Sequence, residues 1–550
     1  MQLKSQIIKI HDLNYKKTKQ QAQELLEDYS PLLRSYQKDH ENFSKRPFEL
    51  SSIKKLFQAI NSSNIILVGD FHTFEQNAKN FERLLKYCTL HRLQFVVALE
   101  LLMASHQHFV HQFMLGETSE VDFLENIQYD KNWMFPWSHY RGIFHIAKEA
   151  HAPVFAINSK GNLCERDQFA ADTLSSIRKQ YPDKIILVLI GEMHIVSNKL
   201  PQALCLSLKN KKISATKITT IHQNLDHVYK QLQVTNTKNA VVQFTSKRSS
   251  KLLEFCLQTA LPWSKYESML YWIECIGGDS RAFDGNIENK FIPIIKQLQS
   301  FLQLEEFITD EELENFIIYN RDKNDFILKE IQKIKQLNLR QLAEHLLTNG
   351  KSFKLPYSSK LYSAHYSMNK LSYLAGVCLF DSIYKQLDLS YDDLLESAKA
   401  SRFIALMHQH ITSYLCSKIL NPHRKCDLYK DLCLKLSAPA IDPYIRKVYI
   451  ESIKIIDACK ETEEGNDKKW NESIFALKHS LPFINDVATL TGHIFAELLF
   501  EKLYEMDYKI AIHHLKNLLF VHPLGVDDLK EISDFLFKQT KLHLLQKKIF

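Results

Sequence analysis

Two short stretches constrain this chain more than any others: Ile65-Ile66-Leu67-Val68-Gly69-Asp70-Phe71-His72 and Ile185-Ile186-Leu187-Val188-Leu189-Ile190-Gly191-Glu192-Met193-His194. Each is an apolar run with β-branched residues, long enough for a buried strand and too short for a helix. Each stops at Gly-acid-x-His. Strands read as continuous apolar runs when a parallel sheet is covered on both faces, and ligands of such sheets bind beyond the carboxyl ends. Glycine lets the chain turn sharply off that edge. One Gly-x-x-His arises easily by chance. Two, both after buried-strand patterns and both with an acid behind the glycine, point to a site.

The surrounding pattern predicts an α/β domain. Phe95-Val96-Val97-Ala98-Leu99-Glu100 reads as a second buried strand ending in an acid, and Pro153 to Asn158 as a third ending in an amide. Helical spacing at Phe81, Leu84, Leu85 and Cys88, and a helix opened by Arg166-Asp167, supply the covering layers. Runs at 213–220 and 239–245 extend the sheet. Strands alternating with helices at these intervals indicate a doubly wound, largely parallel sheet. The densest glycine cluster, Gly277-Gly278 to Gly285, marks a boundary, and beyond it the pattern turns helical. The expected organisation is a helical lead-in over 1–50, an α/β domain over 51–275 and an all-α domain over 290–550.

Composition excludes several classes. With 70 Lys+Arg against 63 Asp+Glu, spread along the chain, the charge lacks the concentrated basic face of a nucleic-acid binder. The 10 cysteines form no C-x-x-C pair, which reads as reduced thiols. No run approaches the roughly 18 apolar residues that cross a membrane. The start, Met1-Gln2-Leu3-Lys4, carries no signal-peptide pattern, and the first cysteine is Cys88, so no lipid-attachment site lies near it. The expectation is a cytoplasmic protein.

The strand ends together carry Asp70, His72, Glu100, Asn158, Glu192 and His194. Two histidines and a carboxylate are a common donor set for zinc, manganese or iron, and the strand ends supply both histidines and three carboxylates. Without metal the same set activates water, with one histidine as general base. Arg166 is placed to meet an oxyanion or a carboxylate. Any single polar residue at a strand end is usually a turn residue or a helix cap; the repeated set argues for a site. The segment 129–140 packs five aromatic rings around Pro136, including Trp137 and Tyr140, and either wedges the core or lines a pocket.

The paired motifs, the Ala98-Leu99-Glu100 strand, Trp137 to Tyr140 and the Ala156-Ile157-Asn158 strand together resemble the ChaN-like branch of the Tiki superfamily, over about residues 50–250. The resemblance implies a doubly wound core with its site at His72, His194 and Glu100, and either metal-dependent or water-activating hydrolysis of a peptide or ester, or haem binding without catalysis. The first motif departs from the family in carrying Asp70 where glutamate is usual. In the hydrolytic version, Asp70 and Glu192 orient the imidazoles. In the haem version, Tyr140 and His139 are the candidate ligands, with Trp137 and Asn158 lining the site. The partner is a small molecule or a peptide, and a homodimer is an admissible assembly. His194, standing on a sheet edge with its side chain off the sheet, is expected to be replaceable at little cost in stability, within about 0.5 kcal/mol.

Overall fold

The computed structural model describes residues 2–24, 30–213, 216–234, 241–245, 252–276, 284–320, 324–364, 367–396, 399–437, 441–461, 479–537 and 540–547. Its contacts divide the chain into two compact units: Asn14–Ile276, and Met1–Leu13 with Gly277–Lys548.

The first unit is built on an eight-stranded sheet. In chain order the strands are β1 (Phe48–Leu50), β2 (Ile65–Asp70), β3 (Phe95–Met103), β4 (Val154–Asn158), β5 (Ile185–Gly191), β6 (Ile218–Gln223), β7 (Val241–Phe244) and β8 (Leu252–Leu257). Across the sheet they run β1-β7-β8-β6-β2-β5-β3-β4. The six from β4 to β8 are parallel, while β7 and β1 close one edge antiparallel. The two motif strands are neighbours at the centre, with Asp70 paired to Gly191, and β3 flanks β5 with Leu99 beside Leu189.

Strand side chains alternate between faces, and both faces are covered. Ile66, Val68, Val97, Leu99, Leu187 and Leu189 join one core, with Phe81 and Leu84 of helix Glu75–Leu90 and Ile143 and Phe144 of helix Arg141–Glu149. Ile65, Leu67, Val96, Ala98, Ile186 and Val188 join the other, with Ala170 and Leu174 of helix Leu163–Gln180 and Leu204 of helix Leu200–Asn210. Two-sided burial is why these strands lack polar alternation.

Residues 14–50 are more than a lead-in, because helix Pro31–Ser44 packs with this unit and buries Tyr36 and Phe43. β1 and β8 were not foreseen. The expected sheet extension at 213–220 begins at Ile218, and part of it, with 239–240, lies outside the described residues. So do residues 277–283 of the glycine cluster.

The second unit is mainly helical but not all-α as expected. It holds a small separate sheet of β9 (Ile317–Asn320), β10 (Phe353–Lys354) and β11 (Lys360–Ser363), whose strands are too short to show a pattern in sequence. Helix Met368–Gln386 packs against β10 and β11, and helix Lys399–Leu420 packs between it and helix Leu481–Leu503. Gly376 and Gly492 mark where two of these helices press on the third. A Cβ at Gly376 would stand 2.5 Å from the Cα of Ser413, and one at Gly492 would stand 2.8 Å from the Cβ of His410. Backbone cannot yield as a side-chain tip does. Gly376→Ala should therefore destabilise this unit by about 1–3 kcal/mol, as overpacking does, read as a lower denaturant midpoint; an unchanged midpoint would refute the close packing.

Candidate functional site

Alternation along the strands decides which side each acid faces. Asp70 falls on the Val68 side, where Tyr140 is buried, and Glu100 on the Ala98 side, where helix Leu163–Gln180 lies. The register of β3 against β4 shifts between Leu99 and Met103, the stretch that holds Glu100. Such irregularities re-aim side chains beside sites.

His72 and His194 are built alike. The Nδ1–H of His72 donates to Asp70 Oδ2 at 2.9 Å, and the same oxygen accepts from the Tyr140 hydroxyl at 2.9 Å. The Nδ1–H of His194 donates to Asp167 Oδ1 at 2.6 Å, while Asp167 Oδ2 accepts from the Tyr36 hydroxyl at 2.6 Å. A carboxylate on Nδ1 fixes the tautomer and leaves the lone pair of the neutral ring on Nε2. Both Nε2 atoms face Glu100, at 3.8 Å for His72 and 3.5 Å for His194.

Glu100 is held at both oxygens. Oε2 accepts the Gly191 backbone N–H at 2.6 Å, and Oε1 accepts Arg166, whose Nε donates to Asn158 Oδ1 at 3.0 Å. Gly191 makes the convergence sterically possible. A Cβ there would meet His194 Cδ2 at 3.2 Å, His72 Nε2 at 3.3 Å and Glu100 Oε2 at 3.4 Å. Helix Leu163–Gln180 starts in place because Asn162 and Glu165 form a reciprocal cap, which sets Arg166 and Asp167 over the strand ends.

Burial alone would lower the His72 pKa, but the bonded Asp70 carboxylate and the Glu100 charge outweigh it and leave it above the ordinary 6.5. Burial alone would raise the Glu100 pKa; His194, His72, Arg166 and the Gly191 N–H outweigh it and keep it below 4.5. The result is an anionic Glu100 beside a readily protonated His72.

Several expected residues stand elsewhere. Glu192 orients neither His72 nor His194: its two oxygens take the Lys265 ammonium at 2.8 and 2.9 Å, in a buried ion pair. The orienting acid for His194 is Asp167, which the sequence shows only as part of a helix start. Tyr140 is 1% exposed and its hydroxyl is spent on Asp70, so it is not an available haem ligand. The Nδ1 of His139 is buried without a hydrogen-bond partner among the described residues, and its ring lies 6.1 Å from that of Tyr140. Trp137 wedges into the core against Phe144 and Tyr129, at ring separations of 4.9 and 5.4 Å. The rings at the site are instead Trp133 and Phe135, 4.5 and 4.9 Å from the His72 ring, with Trp272 stacked on Phe135 at 4.7 Å.

Among the described residues no three His, Cys, Asp or Glu are grouped to hold an ion, and Glu100 already has both oxygens engaged.

Residues 56–166 match the model of a family described as haem-binding uptake, Tiki superfamily, ChaN. The match spans Asp70, His72, Glu100, Tyr140, Asn158 and Arg166, and stops before Asp167 and His194. The ChaN-like resemblance read from the motifs is therefore shown for this segment. One similar solved structure is that of cofacial haem binding to ChaN of Campylobacter jejuni, at 14% identity and a TM-score of 0.23, covering 32% of this chain and 86% of that one. No curated protein matches. No helix among the described residues is long and apolar enough to cross a membrane.

His194 is only 5% exposed, contrary to the expectation of a freely replaceable edge residue. The sheet edge it stands on is roofed by Tyr36 and Asp167. His194→Ala should lower the unfolding free energy by about 1–3 kcal/mol, because it strands the buried Asp167 carboxylate; a denaturation curve matching the wild type would refute the buried bond.

Proposed function

We propose that the Asn14–Ile276 unit binds haem at the His72 edge of its sheet. The observation that carries this reading is the setting of His72. Its side chain is 24% exposed against 6% for His194, its Nδ1 is committed to Asp70, and beside it lie the buried Trp133 and the half-buried Phe135, on which the half-buried Trp272 stacks. A small polar substrate has no use for an aromatic face of this kind, whereas a planar tetrapyrrole buries one. The family match, which concerns haem binding, supports the same reading.

The residues that would hold the group are His72 at Nε2, Trp133 and Phe135 against its face, and Arg166 for a carboxylate on its rim. Haem, when bound, would supply an iron that the His72 imidazole could ligate through Nε2. The chain's own contribution is orientation. Asp70 keeps the imidazole in one tautomer and makes it more basic, and Tyr140 holds Asp70.

A second reading is hydrolytic. It is favoured by His194, which haem binding does not require and whose Nε2 faces the same space as that of His72. In that reading one imidazole takes the proton of a water attacking a peptide or ester carbonyl, and Arg166 stabilises the developing oxyanion. Glu100, tied to Arg166 and Gly191, serves as an anchor and not as the base.

Haemin titration of the full chain separates the two. Binding should shift the Soret band, and His72→Ala should weaken it by about tenfold or more. Coordination needs a deprotonated Nε2, and the His72 pKa lies above 6.5. Affinity should therefore rise with pH from about 6 to about 8 in the wild type and stay flat in His72→Ala. No Soret shift, or an equal one in His72→Ala, would overturn the haem reading. Ester turnover lost in both His72→Ala and His194→Gln would establish the hydrolytic one.

A further inference from the structure

The helical unit contains a cavity of about 180 Å³ that the site on the sheet does not involve. Its walls come from helices Leu337–Thr348, Met368–Gln386, Lys399–Leu420 and Leu481–Leu503 and from the segment around β10. We infer that this cavity is a second binding site, for a small phosphate ester with an apolar body.

Two kinds of lining argue for that chemistry. Leu342, Leu346, Val377 and Leu406 form an apolar wall. Lys351, Lys354, Lys370 and Arg424 also line the cavity, against a single acid, Asp392. Lys354 is shared with Asp381 at 3.4 Å. Arg424, whose hydrogen bonds run to a carbonyl and a hydroxyl, and Lys351 at the rim suit a dianion better than a monocarboxylate, since each added charge-assisted bond strengthens the hold.

The floor is preorganised. The Arg424 guanidinium lies over the rings of Tyr373 and Tyr414, at 5.2 and 4.7 Å from their centroids, and donates to Asn369 O at 3.2 Å and to Ser417 Oγ. Tyr373 bonds His410 Nδ1, and His410 Nε2 meets Asn485 Oδ1 at 3.1 Å and Thr489 Oγ1 at 3.0 Å, so the ring is fixed from both ends. Burial holds the His410 pKa at about 4, so it stays neutral and adds no charge.

His493 completes the case. It lines the same cavity, its ring 4.6 Å from that of Tyr414, and its Nε2 is buried without a hydrogen-bond partner among the described residues. Buried polar nitrogens are almost always paired. A phosphate oxygen entering the cavity would supply the missing acceptor for an Nε2–H.

The test is calorimetric titration of the full chain with phenyl phosphate, with inorganic phosphate and the cation benzamidine as controls. Phenyl phosphate should bind saturably, inorganic phosphate more weakly, and benzamidine not at all. Lys351 is exposed at the rim, so Lys351→Glu should leave the thermal melt unchanged while weakening phenyl phosphate about tenfold. His493→Phe should weaken it as well. His72→Ala, in the other unit, should leave it as tight as in the wild type. Absence of binding at millimolar phenyl phosphate, equal affinity in Lys351→Glu, or loss on His72→Ala would each overturn the proposal.

Discussion

The site depends on one buried carboxylate. Glu100 receives the Gly191 N–H from β5 and Arg166 from a covering helix, and faces the Nε2 atoms of both His72 and His194. Removing an ion from water costs several kcal/mol, and a buried carboxylate persists only where donors and cations surround it. Here they do, and their pull keeps Glu100 ionised below its ordinary range. The same contacts join the ends of β3 and β5 to the helix that carries Arg166. Without them neither imidazole would have a reason to face inward. Gly191 is the steric counterpart of that charge, since any side chain there would fill the space the three groups share.

The two histidines then diverge in character through what roofs them. His194 lies under Tyr36, brought by a helix from before the sheet, and is nearly closed off from solvent. His72 lies beside Trp133 and Phe135 and keeps a quarter of its surface open. Two similar motifs therefore yield a structural imidazole and an accessible one, which is why the functional reading rests on His72.

Much of this was legible in the chain and some was not, for physical reasons. β2 and β5 read clearly because two-sided burial removes polar alternation, and the polar residues that end β2 and β4 follow directly, whereas Glu100 lies within β3, which runs on to Met103. Glu192 misled because a turn directly follows β5: His194 N–H bonds back to Gly191 O, and the acid is carried toward Lys265. Asp167 was hidden because it reaches the site from a helix 27 residues before the histidine it orients, and helical acids are abundant. The aromatic segment was recognised as a unit, but which ring faces His72 depends on its local turns, where Gln128 and Met134 take left-handed φ angles of 48° and 63° that no residue type there announces. Tyr36 could not be placed from sequence because its partner lies 131 residues away.

On the haem proposal, His72 is the residue that meets the bound group. Replacing it with glycine and adding free imidazole to the haemin-loaded protein tests this directly, because the aromatic rings and Asp70 remain to receive the added ring. The shifted Soret band should be lost in His72→Gly and return, saturably, as imidazole is added. A wild-type Soret band in His72→Gly before any imidazole is present would contradict it.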